Sequence, residues 1–564
     1  MMCLDRGLPC IRQLLITESE KKMKNKAYPY YELTQIRDLK DLLAGKAETQ
    51  PDEVAFYYPE EEQVIRKTYG DLYNDVNALG TWMFQKKLRG RNLAIIGENS
   101  YEWIVTFFAA ILGGNVAVAI DKGLPEDELL NLLRKGDANT VFISETFKDK
   151  VKKKSGRKIF GFGEFEDMLK EGRELIAKGK NDFLRYELDP DKTAAILFTS
   201  GTSGTSKGVE LTNRNITFEI NQTCKLFRLE GSVVAVLPFH HAFGLVVGIL
   251  MVLNHGTSAY INKSLKKVKK DMQDFGPQTM FLVPLFVEFF HRQIWSEIRK
   301  RGKEKAFRAL MKSTNLLLKM GIDVRKKTYA SIHEAFGGRL EYIICGGAPL
   351  DSKYVKEFRT WGIEILNGYG TTECSPCTAV NRPHHHLDGS VGQLVPGIDV
   401  RVSDDGEIQF RGDLVMKGYY MDEEATEEVL KDGWYRTGDL GYVTKDGFIV
   451  LTGREKNLII LSNGENISPE ELEMDLARDD AVAEVLVYEE QSKIVAEIYP
   501  DEEHRGNLAY FEKLKDKVNK GRPLYKQIVR VKLRDEEFIK NASMKIVRKK
   551  NIFPDQTLGE ESEE

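Results

Sequence analysis

TAAILFTSGTSGTSKGVELT, residues 193–212, joins an apolar run to a loop of serine, threonine and glycine. The run AAILF has the unbroken hydrophobicity of a strand buried on both faces. The loop has the composition of a flexible linker. Yet a buried strand feeds it directly, and loops at the carboxyl ends of strands in α/β sheets are where ligands bind. Gly201, Gly204 and Gly208 let backbone N–H groups approach an anion, hydroxyls lie between them, and Lys207 adds positive charge. Together these features favour a phosphate cradle over a linker.

The loop does not match G-x-x-x-x-G-K-[ST], in which the lysine and a hydroxyl residue lead straight into a helix. Counted from Gly201, Ser206 stands where the second glycine belongs, and Gly208 follows the lysine. VELT reads as extended chain, so the helix is expected only from Thr212 or Asn213, either of which can cap it.

Outward from this loop, strand-like runs alternate with helical stretches. RNLAIIGEN, NVAVAI, ANTVFIS, SVVAVLPF, EYIIC and IEILNGYG read as strands; YEWIVTFFAAILGG and SKYVKEFRTWG read as helices. The rhythm predicts α/β architecture with at least two layered βαβ sheets. After about Ser390 it gives way to short strands with frequent glycine turns, a small β-rich subdomain. Beyond Gly453 follows a more charged stretch with the size of a compact α/β module. The expected division is an N-terminal extension over 1–35, a large domain over 36–453 and a small mobile α/β domain over 454–564. Met23 is an alternative start.

The chain has 564 residues, 42% of them hydrophobic, enough for several cores. With 82 basic and 86 acidic residues the net charge is −4, so no global field recruits nucleic acid or an anionic membrane. The basic runs SLKKVKK, DKVKKKSGRK and VRKKN read as solvated faces. Six cysteines in so long a chain form no disulfide framework, Cys3 and Cys10 lie in a marginal N-terminal stretch, and a reducing cytoplasm is the expected compartment. The first residues lack the apolar core of a signal peptide. Residues 233–253, VVAVLPFHHAFGLVVGILMVL, are long enough to span a bilayer, but Pro238, His240 and His241 argue for strand, turn and helix in a soluble core, with a site at the turn. Peripheral membrane contact stays open.

The loop and its surroundings resemble the adenylate-forming superfamily, and within it the long-chain fatty acyl-CoA synthetases. ILFTSGTSGTSKGVELT is similar to that family's phosphate-binding signature. LPFHHAFG, CGGAPL, NGYGTTE, GSVGQLVPG, GEIQFRGDLVMKGYY, GWYRTGDLG, GREKNLIILSNGENISPEELE and NASMKIVRK follow in the family's order. The resemblance implies two half-reactions: a carboxylate attacks the α-phosphate of ATP to give acyl-adenylate and pyrophosphate, then a thiol displaces AMP. Thr199, Ser200, Gly201, Thr202, Ser203, Gly204, Thr205 and Lys207 would hold the β- and γ-phosphates, Thr372 would contact the nucleotide, and Glu373 beside it would bind Mg2+. Tyr369 would face adenine, with Gly346 and Gly347 permitting close approach. Asp439 would accept the ribose hydroxyls, Arg454 contacting the nucleotide beside it.

Lys545 matches the family's C-terminal catalytic lysine, preceded here by Met544 where glycine is commoner. A donor aimed at developing charge is worth roughly 3 kcal/mol. Lys456 matches the hinge about which the C-terminal domain rotates, and Gly464 the thiol tunnel. His241, Phe243 and Phe286 are expected at the acyl pocket or its gate, though each also suits an ordinary core. The implied partners are a fatty acid or other carboxylate, and CoA or an acyl carrier protein, with no nucleic acid. A non-catalytic nucleotide-binding protein is disfavoured because Lys207, Glu373, Asp439 and Lys545 are all present. Cys374 and Cys377 followed by His384, His385 and His386 suggest zinc, but no second Cys-x-x-Cys completes a site.

Overall fold

The computed structural model describes residues 30–61, 63–152, 156–200, 206–460, 466–540 and 546–552. Two large sheets take up the strands as far as Leu394, and the first also takes in the later strand Gly418–Tyr419. The first has seven strands in the order Gly418–Tyr419, Ser206–Thr212, Thr193–Ser200, Val116–Ile120, Asn92–Ile96, Thr140–Ile143 and Lys158–Gly161. Its strands from Thr193–Ser200 outward to Lys158–Gly161 are parallel. The inner strands Val116–Ile120, Asn92–Ile96 and Thr140–Ile143 are almost wholly buried, as expected of parallel strands covered on both faces, while the edge strand Lys158–Gly161 is not.

The helix Tyr101–Leu112 shows how local sequence builds this layer. Ser100 caps it by accepting from the Trp103 N–H, and every residue except Glu102 is buried. Gly113 and Gly114 end it, Gly114 with φ +74°, a backbone state that costs glycine little.

The second sheet has nine strands, running from Gln393–Leu394 through Ala379–Val380, Glu364–Tyr369, Tyr342–Cys345, Thr279–Leu282, Val233–Ala235 and Ala259–Ile261 to Val54–Glu60 and Gln63–Thr68. One hydrophobic core, from Ile36 to Ile449, runs through both sheets. The window 233–253 is strand, turn and helix within that core, and among the described residues no helix is long and apolar enough to cross a membrane.

A five-stranded antiparallel sheet follows, centred on the long strand Trp434–Val443 between Glu407–Arg411 and Ile449–Arg454. Residues from Ile459 to Val531 form a separate core beside the three-stranded sheet Val482–Glu490, Lys493–Pro500 and Arg530–Leu533. Polar contacts join this unit to the large one: Arg478 Nε donates to Asp351 Oδ2 at 2.7 Å, and Lys353 Nζ to the Arg478 carbonyl at 2.9 Å.

Candidate active site

The strand Thr193–Ser200 turns back on Ser206–Thr212, with Thr199 opposite Lys207 and Ser200 opposite Ser206. The helix then starts at Asn213, capped by Thr212: its hydroxyl accepts from the Asn215 N–H at 3.1 Å, and its own N–H donates to Asn215 Oδ1 at 2.8 Å. Gly201, Thr202, Ser203, Gly204 and Thr205 lie outside the described residues. A Cβ on Gly208 would sit 3.0 Å from Ile196 and 3.2 Å from Phe198 on the facing strand. That crowding is a packing reason for glycine, separate from any anion.

The hairpin's outer edge is paired with Gly418–Tyr419, placing Tyr419 opposite Val209. Tyr419 joins two expected site residues. Lys207 Nζ sits 4.8 Å from its ring centroid, and its hydroxyl donates to Glu373 Oε1 at 2.9 Å. Burial and then the Glu373 charge raise its phenol pKa, so it remains a neutral donor. The backbone also fixes Glu373, whose carbonyl accepts from the Met416 N–H at 2.7 Å. Thr372 opens the short helical turn that carries it.

Tyr369, Asp439 and Arg454 form a second cluster. Asp439 and Arg454 face each other across antiparallel strands, and Arg454 Nε donates to Asp439 Oδ1 at 2.8 Å. The Tyr369 hydroxyl donates to Asp439 Oδ2 at 2.6 Å. Burial, followed by the Asp439 charge, pushes the Tyr369 phenol well above its ordinary range. Burial alone would lower the Arg454 pKa, but Asp439 outweighs it and the guanidinium is held charged. Buried Glu407 braces the turn before Asp439, accepting from the Gly438 N–H and Arg436 Nε, both at 2.9 Å. The two clusters share one loop, since Tyr369 and Glu373 are four residues apart. Gly370 between them is required by space, because any Cβ there would collide with the Pro376 carbonyl.

Gly346 and Gly347 follow the strand Tyr342–Cys345. A Cβ on Gly346 would lie 3.3 Å from the Gly368 carbonyl and 3.7 Å from the Phe243 ring, and one on Gly347 3.5 Å from Val283. The glycine pair therefore separates two segments expected to shape the acyl pocket. Phe243 meets Phe281 edge-on at 6.4 Å, while Phe286, in the first turn of the helix Pro284–Lys300, lies 6.4 Å from Phe290. Asn99 holds the preceding turn, donating to the Leu237 carbonyl at 2.8 Å and accepting from the Phe239 N–H at 3.0 Å. His241 is half-buried, its ring 4.3 Å from that of His240, whose pKa burial drives well below the ordinary value.

Lys456 is exposed in the short turn Glu455–Asn457, while Gly464 and Lys545 lie outside the described residues, as do Cys3, Cys10 and Met23. Cys374 and Cys377 are free thiols; among the described residues the grouping able to offer three metal ligands is Asp501, Glu503 and His504, away from the Cys/His stretch. Tyr419 and Asn99 were missed as site residues. Tyr419 had a signal, since it closes the motif GEIQFRGDLVMKGYY, but its partner is distant in sequence.

Residues 43–420 match the family model described as AMP-binding enzyme. A long-chain-fatty-acid–CoA ligase of Mycobacterium bovis, FadD15, is 28% identical over 425 residues, 71% of each chain. A chloroplastic long-chain-fatty-acid–[acyl-carrier-protein] ligase of Arabidopsis thaliana, AEE15, is 26% identical, covering 82% of this chain and 76% of its own. The fold matches that of O-succinylbenzoate coenzyme A synthetase of Bacillus subtilis, solved with ATP and magnesium ion, with TM-score 0.70 and 23% identity over 91% of this chain and 99% of that one. With two thirds of the chain under the family model and both side-chain clusters inside the fold, the chain belongs to the AMP-binding enzyme family, the adenylate-forming enzymes that its motifs resemble.

Proposed function

We propose that this chain condenses a fatty acid with ATP to an acyl-adenylate and pyrophosphate, then transfers the acyl group to the thiol of CoA, releasing AMP. The observation that carries the reading is Asp439, an acceptor held from one side by Tyr369 and from the other by Arg454. An ionised carboxylate accepts without donating, which suits a ribose diol. Each Asp439 oxygen keeps a lone pair for a ligand hydroxyl.

Mg2+ fits the donor set at Glu373. One carboxylate oxygen is held by Tyr419, and the other makes no hydrogen bond with a described residue. Magnesium is usually bound through one or two carboxylates together with substrate phosphates. When bound, it would neutralise charge on the phosphate oxygens. Lys207 adds a positive charge over the Tyr419 ring, so this chain's residues orient the pyrophosphate end and leave the α-phosphate facing the carboxylate. Lys545 is proposed to steady the charge developing there, and Lys456 and Gly464 to serve as hinge and thiol tunnel for the second half-reaction. The fatty-acid assignment follows the names of the relatives, two of which activate long-chain fatty acids. The Arabidopsis relative supports a second reading, transfer to carrier-protein phosphopantetheine.

The test is AMP release from a panel of carboxylates from acetate to palmitate, offered CoA or a holo carrier protein. Rates highest with long chains and CoA are expected. Thioester formed only on the carrier protein selects the second reading, and no AMP from any carboxylate overturns both. Tyr419→Phe keeps the ring beneath Lys207 but frees Glu373. It should raise the Mg2+ concentration for half-maximal rate by roughly tenfold, the worth of one hydrogen bond to a charged group. An unchanged Mg2+ dependence would remove Tyr419 from that role.

A further inference from the structure

The helix Glu304–Lys319 presents three distinct faces. Phe307 and Thr314 turn inward: the Phe307 ring lies 5.4 Å from Trp295 and 5.8 Å from Tyr329, and Thr314 accepts from the Tyr329 hydroxyl. A second face carries Lys305, Lys312 and Lys319, two helical turns apart, all exposed and none in an ion pair with a described residue. The third is apolar and uncovered. Leu310 is 40% exposed, Leu316 61% and Met320 66%, and Ile322 just beyond the helix is 49% exposed.

Charge is concentrated here against the trend of the chain. Residues 299–327 hold eleven Lys and Arg against two acidic residues, in a protein whose net charge is −4. An exposed apolar stripe bordered by lysines is the pattern of a helix that lies in a membrane surface. The preceding helix, Pro284–Lys300, carries Phe286 in its first turn, so the same hairpin reaches the segment expected to bound the acyl pocket.

We propose that the helix Glu304–Lys319 docks this protein on an anionic bilayer, Leu310, Leu316 and Met320 entering the interface while Lys305, Lys312 and Lys319 meet the lipid phosphates. A symmetric pairing of two copies through this face would set lysine rows against each other, which charge complementarity disfavours. Docking here goes beyond the acyl-activation reading and stands or falls without it, because the readout is binding.

The full-length protein is sedimented with vesicles of equal parts phosphatidylglycerol and phosphatidylcholine, and with phosphatidylcholine alone. Binding to the anionic vesicles alone, weakened by salt, is expected. Lys305→Glu with Lys312→Glu and Lys319→Glu should lower the partition coefficient by on the order of a hundredfold. Leu316→Asp with Met320→Asp should lower it by tenfold or so. Both variants alter exposed positions and should keep the wild-type thermal midpoint and AMP release with a water-soluble carboxylate. Equal binding to both vesicle types, or variants that bind like the wild type, would overturn the proposal. So would a dimer in size-exclusion chromatography that the variants dissociate, which would make the face a self-interface.

Discussion

Replacing Asp439 with alanine is expected to lower kcat/KM for carboxylate-dependent AMP release by on the order of a hundred- to a thousandfold, equivalent to about 3–4 kcal/mol. Two losses add. The nucleotide loses its acceptor, and Arg454 and the Tyr369 hydroxyl lose the carboxylate that both now satisfy. Removing one partner of a partly buried charge pair leaves the other charge uncompensated. Asp439→Asn separates these effects, since its amide oxygen still accepts from one side while its NH2 faces a former donor. It should recover about tenfold of the loss. Steady-state kinetics at varied ATP, with thermal midpoints alongside, check both. If Asp439→Ala drops the midpoint but leaves kcat/KM within a few-fold, Asp439 merely ties two strands together.

Seven strands of the two large sheets were legible because each is short, apolar and bounded by turn residues, whereas Val54–Glu60, Gln63–Thr68, Lys158–Gly161, Ala259–Ile261 and Thr279–Leu282 carried no such signal. The chain after Lys207 was legible: VELT is extended, and the helix begins at Asn213 under a Thr212 cap. How the strands regroup was not. Val54–Glu60 pairs with Ala259–Ile261, about two hundred residues away, and nothing local encodes which parallel strand will lie beside another. The same distance problem hid Tyr419. Its hydroxyl meets Glu373 only because the strand Gly418–Tyr419 joins the edge of the first sheet, while Glu373 follows a strand of the second. Glu219 was hidden differently. In NRNITFEINQT it reads as a polar helix position, but the cysteine-bearing loop after Glu373 covers it, leaving it 1% exposed.

Glu219 should make stability fall as pH rises through neutrality. Burial pushes its pKa from the ordinary 4.5 up to about 8, although Thr223 Oγ1 at 2.8 Å and the Cys377 N–H at 3.3 Å donate to Oε1. Oε2 has no hydrogen-bond partner among the described residues. Between pH 4.5 and 8 the folded chain holds a proton there that the unfolded chain has released. Stability contributed by this group is therefore full below pH 4.5 and declines until the folded pKa is passed. At about 1.4 kcal/mol per unit, the loss reaches roughly 4 kcal/mol by the upper end of the window. The neighbouring thiols do not titrate across it: burial raises Cys224 to about 12 and holds Cys374 and Cys377 well above their ordinary value. Glu219→Gln keeps the Oε1 acceptor and cannot ionise. Its amide adds an N–H at the Oε2 position, a cost that shifts stability equally at every pH and leaves the slope as the readout. Thermal midpoints of the two proteins, followed from acid to mildly alkaline buffer, should diverge by several degrees in favour of the variant as pH rises. Parallel profiles would mean that Glu219 is ionised in the folded protein throughout, with a counter-charge or water at Oε2.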